Sequence, residues 1–348
     1  MSELRWDPLK NNWTIMTKGR GRRPQDFLQK REQVKMAACP FCNGNETKTP
    51  PEIYAYRPDG SRANQPGWQV RVIPNKFPAL GIEGELDNRA EGLYDRMNGI
   101  GAHEVIIEHP DHDKSMADLT TDELAEVLKA YRARMLDLHR DGRFRYIFVF
   151  KNFGIEAAAN VPHSHSQLIA VPLVPPLIAT ELESCREHFA RKERCLICDL
   201  IRQERETKTR VVRDDGNFIS YAPYASKFPF ELMIAPLQHS HDFTLCTDQQ
   251  LLLLADTLGD SLRRLRSILR DPPYSFILHN APPLHLRRGR PDYWGSLPVD
   301  YHWHIEIAPK LTNVAGFEWG SGFQMNPTPP EEAAEFLRQA DPTVRYQD

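Results

Sequence analysis

Two stretches of the chain carry apolar residues at the spacing of a single helix face: Leu124, Val127, Leu128, Tyr131, Met135 and Leu138, then Leu251, Leu254, Leu258 and Leu262. Positions three and four apart share one side of a 3.6-residue turn, so each stretch predicts an amphipathic helix with a buried stripe. Both are preceded by the same start signal, Thr120-x-x-Glu123 and Thr247-x-x-Gln250. In such a capping box the threonine hydroxyl and the Glu or Gln side chain satisfy N–H groups that the first turn leaves free. Beyond the helices lie short runs rich in aromatic and β-branched residues, Tyr146 to Phe150 and Phe276 to Leu278, which suit buried strands.

These likenesses belong to an internal repeat. Glu104-Val-Ile-Ile recurs as Glu231-Leu-Met-Ile, His112 as His239 and Thr120 as Thr247, each at an offset of 127 residues. Tyr146-Ile-Phe-Val-Phe-Lys-Asn152 recurs as Tyr274-Ser-Phe-Ile-Leu-His-Asn280 at 128. Lys76-Phe-Pro78 matches Lys227-Phe-Pro229 at 151, which implies about two dozen extra residues in the first copy. Each copy reads as a Cys-x-x-Cys turn, short strands, a capped helix and more strand. The expected fold class is therefore α+β, two tandem units over residues 1–185 and 186–348, each an antiparallel sheet with helices. Pro172-Leu-Val-Pro-Pro176 leads toward the second unit, and Pro327-Thr-Pro-Pro330 precedes a short C-terminal helix from near Glu331. Residues 283–300, with Arg287-Arg-Gly-Arg290, read as an exposed inserted loop.

Composition narrows the function. A chain of 348 residues with 41% hydrophobic content can fill two medium cores. A formal charge of −3 gives no net attraction to a polyanion, so no nucleic-acid partner is expected. No apolar run approaches the roughly 20 residues that span a bilayer, and Met1 leads into Arg5-Trp6-Asp7-Pro8 rather than a signal sequence. The expectation is a soluble cytoplasmic protein with no membrane partner.

Four of the six cysteines form two Cys-x-x-Cys pairs, Cys39/Cys42 and Cys195/Cys198. In a reducing compartment such pairs point to metal or redox chemistry rather than structural disulfides. Zinc takes four ligands in a tetrahedron, and each pair supplies two thiolates from one turn. The repeat nominates the rest: His112 and His163 in the first copy, His239 and His302 in the second. His103 and His109 compete for the first site, and the offset selects His112. Two Zn2+ sites per chain follow.

His163, Ser164, His165, Ser166 and Gln167 form an alternating pattern. On a strand His163, His165 and Gln167 project to one side, roughly 7 Å between successive members. One histidine can then be held by metal while the next stays free; alternatively both bind metal. A free neutral imidazole is a competent nucleophile toward phosphorus. Gln167 could donate to a phosphoryl oxygen as charge redistributes. The small residues and two asparagines of Asn152-Phe-Gly-Ile-Glu-Ala-Ala-Ala-Asn160 suit backbone lying close to phosphates.

Cys39-Pro-Phe-Cys42, Asn152-x-Gly and His163-x-His165-x-Gln167 together resemble the galactose-1-phosphate uridylyltransferases, a branch of the histidine-triad superfamily built from two fused units. The similarity runs from Asp7-Pro8 through Gly316-Phe-Glu318. The resemblance implies a ping-pong nucleotidyltransferase: His165 attacks the α-phosphorus of a nucleoside-diphosphate hexose, releases hexose 1-phosphate and holds the nucleotide until a phosphate-bearing acceptor collects it. It implies that His163 joins Cys39, Cys42 and His112 on a structural zinc. Arg20 and Arg23 match arginines that hold nucleotide phosphates, Asn75 and Asn152 match nucleotide contacts, and Glu318 matches a glutamate that binds sugar hydroxyls. Asn160 stands where the family has a serine, among the phosphate-binding positions.

His-Ser-His-Ser-Gln in place of His-Pro-His-Gly-Gln looks closer to the plant-type ADP-glucose phosphorylase branch, as do Ala170-Val-Pro172, Asp271-Pro-Pro-Tyr274 and Gly316-Phe-Glu-x-Gly-x-Gly322. There inorganic phosphate is the acceptor. The leading expectation is nonetheless a hexose 1-phosphate acceptor such as galactose 1-phosphate, in the UDP-glucose–hexose-1-phosphate uridylyltransferase manner. Alternatives are the phosphorylase reaction, hydrolysis of nucleotides as in other histidine-triad proteins, and a non-catalytic zinc-stabilised nucleotide-binding protein. The resemblance also offers a second reading of the second metal, Glu181, His279, His302 and His304, which shares His302 with the cysteine set. Two thiolates favour zinc at the cysteine set. Family members are commonly dimers, which implies a homodimer.

Overall fold

In the computed structural model, residues 1–17, 22–28, 38–285 and 294–345 are described. The first copy contributes β1 (Glu3–Asp7), β2 (Asn12–Met16), β3 (Tyr54–Tyr56), β4 (Val70–Pro74), β5 (Arg89–Glu91), β6 (Tyr94–Arg96), β7 (Ala102–Ile107), α1 (Thr121–Leu138), β8 (Tyr146–Phe153) and β9 (His165–Val171). Two helices follow, α2 (Pro176–Lys192) and α3 (Leu196–Thr207). The second copy runs β10 (Val211–Asp214), β11 (Phe218–Tyr221), β12 (Leu232–Pro236), α4 (Asp248–Leu269), β13 (Tyr274–His279), α5 (Leu297–Asp300) and β14 (His304–Pro309). The chain continues through α6 (Gly316–Ser321), β15 (Gln324–Asn326) and α7 (Pro330–Gln339).

The expected helices and strands are present with their expected start signals. Thr120 Oγ1 accepts from Glu123 N–H at 3.2 Å while Glu123 Oε2 accepts from Thr120 N–H at 2.8 Å. Thr247 and Gln250 reproduce that box at 3.2 and 2.9 Å. Every residue of both leucine stripes is buried.

The repeat becomes a single ten-stranded sheet in the order β10-β11-β12-β14-β13-β8-β9-β7-β4-β3. Read outward from the middle, each half has the same sequence of strands. The halves meet where β13 runs antiparallel to β8, with Tyr274 opposite Phe153 and Leu278 opposite Val149. The α+β architecture of two antiparallel repeats is thus realised as one continuous sheet. The division expected at 185/186 falls inside α2, whose Ile178, Leu182 and Cys185 pack with Ile197 and Ile201 of α3 and with Ile219 and Tyr221 of β11.

Helices α1 and α4 cover one face of the sheet, and their stripes share a core with Leu168, Ala170, Ile147 and Val149. On the other face α2 and α3 cover the second half, while Trp68, Ile73, Val105 and Ile107 form a smaller cluster with Phe41 over the first. Strand alternation then decides which face each side chain of β9 meets: Leu168 and Ala170 enter the helix-covered core, so His165 and Gln167 face the opposite side.

Two expectations change, and one feature is new. The second Cys-x-x-Cys is not a free turn: Cys195 stands at the N-cap position of α3 and Cys198 lies in its first turn. Within 283–300, residues 297–300 form α5 with Leu297 and Asp300 buried, so this part is not exposed loop; residues 286–293, including Arg287-Arg-Gly-Arg290, lie outside the described residues. A small sheet of β1, β2 and β15 was not anticipated; β15 pairs parallel to β2, a contact between chain segments about 300 residues apart that leaves no local pattern.

Candidate functional site

Each Cys-x-x-Cys is brought together with its two nominated histidines. Cys39, Cys42, His112 and His163 have their ligand atoms within 4.8 Å of one another, and so do Cys195, Cys198, His239 and His302. Cys42 Sγ lies 3.4 Å from His112 Nδ1 and 3.7 Å from His163 Nδ1. Cys198 Sγ lies 3.4 Å from both His239 Nδ1 and His302 Nδ1. A tetrahedral zinc with bonds of about 2.0 to 2.3 Å places its ligands roughly 3.3 to 3.8 Å apart, so both sets fit. The tautomers fit as well. His163 Nε2 lies 2.7 Å from the His109 carbonyl and His239 Nε2 3.0 Å from that of Pro298. A carbonyl only accepts, so Nε2 carries the proton in each ring and Nδ1 presents a lone pair to the shared point. Burial lowers His163 to about 4, keeping it neutral. His103 and His109, the competitors for the first site, are engaged elsewhere: His109 Nε2 meets Glu123 at 3.2 Å.

A third cluster resolves the conflict over His302. Glu181, His279, His304 and Glu306 converge within 4.8 Å, with Glu306 in the place expected of His302. The alternation of β14 explains this: His304 and Glu306 share a face, while His302 precedes the strand and turns to the cysteines. His279 is held between Glu181 (3.0 Å) and Glu306 (3.5 Å) and stacks on His304 with centroids 4.6 Å apart. Burial would lower its pKa, but the two carboxylates outweigh that and raise it to about 10. Lys10 adds a second, partly buried cation, 2.6 Å from Glu306 and 3.0 Å from Glu231.

His165, two residues beyond the first set, does not join it. Its Nδ1 lies 2.8 Å from the His163 carbonyl and must donate there, which leaves the Nε2 lone pair free. Burial and the nearby Lys151 ammonium lower its pKa, which favours the neutral ring. Among the described residues no hydrogen bond is made to Nε2. The ring borders a cavity of about 490 Å³ whose wall includes Asn152, Gly154, Ala159, Val161 and Lys114. Asn152 lies on β8, and its Oδ1 accepts from Ser275 Oγ at 3.2 Å. Gly154 has φ +84° and approaches Pro273 so closely that a Cβ would sit 2.7 Å from that ring, so the turn under the cavity requires glycine.

The back of β9 carries a network that sequence reasoning missed. Ser164 and Ser166 donate to opposite oxygens of Glu108, the former at 2.5 Å, and Tyr131 hydrogen-bonds to Ser166. Lys151 donates to Glu108 Oε2 (2.8 Å), Ser164 Oγ (3.0 Å) and the His165 carbonyl (3.1 Å). Glu108 and Lys151 are each 1% exposed. The two serines, legible only as a departure from the proline and glycine of the uridylyltransferases, therefore anchor the strand that carries His165. A lysine ending an otherwise apolar strand run was the one available signal.

The remaining expected residues are more dispersed. Gln167 meets His103 at 2.8 Å, and Asn75, at the end of β4, meets the same ring at 3.0 Å. Arg23 precedes a short 3-10 turn, Pro24–Phe27, and is exposed; Arg20 lies outside the described residues. Asn160 is exposed, between two cavity-lining residues. Glu318 is buried in α6, where its carboxylate accepts from the N–H groups of Ala315 (2.7 Å) and Met325 (3.4 Å). It is not among the residues bordering the His165 cavity.

The doubled antiparallel sheet thus sets a histidine whose Nε2 has no hydrogen bond among the described residues beside a Cys2His2 set able to hold a metal. The family model for the N-terminal domain of galactose-1-phosphate uridyl transferase matches residues 1–175, and the chain belongs to this family. An ADP-glucose phosphorylase of Arabidopsis thaliana is 35% identical over 346 residues, 98% of this chain and 93% of the relative. A galactose-1-phosphate uridylyltransferase of Thermotoga maritima is 25% identical over 351 residues, covering 98% and 99%. The crystal structure of an Arabidopsis thaliana ADP-glucose phosphorylase with bound ADP-glucose superposes with a TM-score of 0.82 at 33% identity, covering 98% of this chain and all of that one. No helix among the described residues is long and apolar enough to cross a membrane.

Proposed function

We propose that this enzyme is a nucleotidyltransferase that moves a nucleotide from a nucleoside-diphosphate hexose to a hexose 1-phosphate such as galactose 1-phosphate, through a covalent nucleotidyl-His165 intermediate. The observation that carries the proposal is the His165 ring, with Nδ1 donating to the His163 carbonyl at 2.8 Å and Nε2 free beside a cavity. His165 Nε2 attacks the α-phosphorus; a P–N bond forms and the bridging P–O bond breaks, its electron pair leaving with hexose 1-phosphate. A phosphate oxygen of the acceptor then attacks the same phosphorus, the P–N bond breaks, and the ring returns to its starting tautomer. Gln167 donates its amide to a phosphoryl oxygen as the transition state forms. Arg20, Arg23, Asn75, Asn152 and Asn160 hold the nucleotide and its phosphates, and Glu318 the sugar hydroxyls.

Zinc is the proposed metal at both Cys2His2 sets, because two thiolates and two imidazoles in a tetrahedron suit it above harder divalent ions. At the first set it would fix His163 and, through the His163 carbonyl, the orientation of His165. Residues 1–185 then carry the reaction, while residues 186–348 keep a second zinc and place His304 and Glu306 where the first unit has His165 and Gln167. The enzyme is proposed to act as a cytoplasmic homodimer, with neither nucleic acid nor membrane as partner.

A second reading makes inorganic phosphate the acceptor and ADP-glucose the donor. Two observations favour it: identity of 35% to an ADP-glucose phosphorylase against 25% to a uridylyltransferase, and the Ser164/Ser166 pair bonded to Glu108. Loading the enzyme separately from UDP-glucose and ADP-glucose, then adding galactose 1-phosphate or phosphate, separates the readings. UDP-galactose as the dominant product supports the first. ADP formed from ADP-glucose and phosphate, without transfer to galactose 1-phosphate, replaces it with the second.

A further inference from the structure

His103 sits at the start of β7, one diagonal step across the sheet from Gln167. In the register of β7 and β9, Val105 is opposite Gln167 and His103 opposite Ile169, so all four side chains share the face that carries His165. The imidazole is gripped at both nitrogens. Ala79 N–H donates to Nδ1 at 3.1 Å, and Nε2 lies 2.8 Å from Gln167 Oε1. A neutral ring has one proton, and Nδ1 is accepting, so the proton is on Nε2 and is donated to Gln167 Oε1. With its oxygen turned to that N–H, Gln167 presents its amide NH2 on the other side of the group.

Asn75 follows the same logic. Its Oδ1 accepts from Phe77 N–H at 2.9 Å, which fixes the amide orientation, and its Nδ2 lies 3.0 Å from the protonated His103 Nε2. In this tautomer both groups are donors, so the 3.0 Å approach is a packing contact and not a hydrogen bond. The Asn75 N–H in turn donates to the His103 carbonyl at 2.8 Å, tying the end of β4 to the ring's own backbone.

We propose that His103 is a positioning residue for the nucleotidyl-transfer step: by donating from Nε2 to Gln167 Oε1 it fixes the Gln167 amide with NH2 outward, toward the phosphoryl group held on His165. The assignment rests on the reading of His165 as nucleophile, and goes beyond it by naming the residue that sets the polarity of its neighbour. Without the tether the amide rotates about χ3, and half of its orientations present oxygen rather than NH2 to an anionic phosphoryl group.

The test is a double-mutant cycle read in single-turnover nucleotidylation of the full-length, zinc-loaded enzyme, with rate and donor-saturation constant measured separately. His103→Leu is expected to slow nucleotidylation roughly tenfold or more, as misplacement of a reacting group does, with little change in donor saturation. In the Gln167→Ala background the same change is expected to alter the rate less than about twofold, since the two residues act as one unit. Two variants separate positioning from folding. His103→Gln retains an N–H near the position of Nε2 and should keep most of the rate. His103→Asn retains an acceptor for Ala79 but cannot reach Gln167, and should be as slow as His103→Leu while binding the same zinc. Equal slowing by His103→Leu with and without Gln167, or full activity of His103→Asn, would overturn the proposal. Failure of the wild-type enzyme to form any nucleotidyl adduct would instead sink the functional reading on which it rests.

Discussion

Replacing Lys151 with methionine keeps an unbranched side chain in the same space and removes one positive charge. The ammonium is buried, with Glu108 at 2.8 Å as its counter-ion, and Glu108 is equally enclosed. Lys151→Met therefore leaves a carboxylate under the sheet with only Ser164, Ser166 and the packing around them to stabilise it. Breaking a buried ion pair from one side costs about 3–5 kcal/mol, most of it the penalty for the orphaned charge. An unfolding entropy of roughly 2.1 cal/mol/K per residue amounts to about 0.7 kcal/mol/K for a chain of this length, so the midpoint should fall by ~4–7 °C. Scanning calorimetry at saturating zinc measures this directly. Adding Glu108→Gln should recover more than half of the loss, because a neutral amide can accept from one serine and donate to the other, whose hydroxyl can turn to accept. A loss of the same size with and without Glu108→Gln, or a shift below about 1 °C, would show that the pair does not carry the charge balance described. The same variant also unties the His165 carbonyl, so nucleotidylation should slow even at temperatures where the fold is intact.

Metal analysis should find two zinc ions per chain; Cys198→Ser should remove one and leave nucleotidylation of His165 largely in place, whereas Cys42→Ser should remove the other and abolish it. Glu123 has a pKa lowered to about 2, because the Thr120 N–H and Lys114 outweigh the effect of burial. Its folded pKa lies below its unfolded one, so its contribution to stability is complete above pH ~4.5 and is lost as pH falls toward 2. Solvent screening limits that contribution to about 1 kcal/mol; urea midpoints at pH 6 and pH 3 should diverge less in Glu123→Gln than in the parent, and an unchanged divergence would contradict the assignment.

Much of this site could be read from the chain because its signals are local or duplicated. The capping boxes at Thr120 and Thr247 announce helices within four residues, and a second Cys-x-x-Cys with its own pair of histidines turns a weak pattern into a strong one. What escaped was set by strand faces and by contacts far apart in sequence. Ser164 and Ser166 read only as substitutions until alternation along β9 turned them toward Glu108, just past the end of β7, and Lys151 of β8. The choice between His302 and Glu306 for the third cluster depended on where β14 begins, a boundary that periodicity does not fix. Lys10 meets Glu306 across nearly the whole chain, with nothing nearby in sequence to pair them. His103 was visible as a histidine but was weighed only as a metal ligand; its bond to Gln167 follows from register, not from spacing.

The central claim is that His165 carries the nucleotide. Incubation with UDP-glucose or ADP-glucose labelled in the α-phosphate, followed by alkaline quench and peptide mapping, tests it most directly. One acid-labile nucleotidyl group per chain, located on the peptide containing His165 and absent from His165→Asn at unchanged zinc content, is the predicted result. No covalent label with either donor on the folded, zinc-loaded enzyme, or a label that persists in His165→Asn, would contradict it.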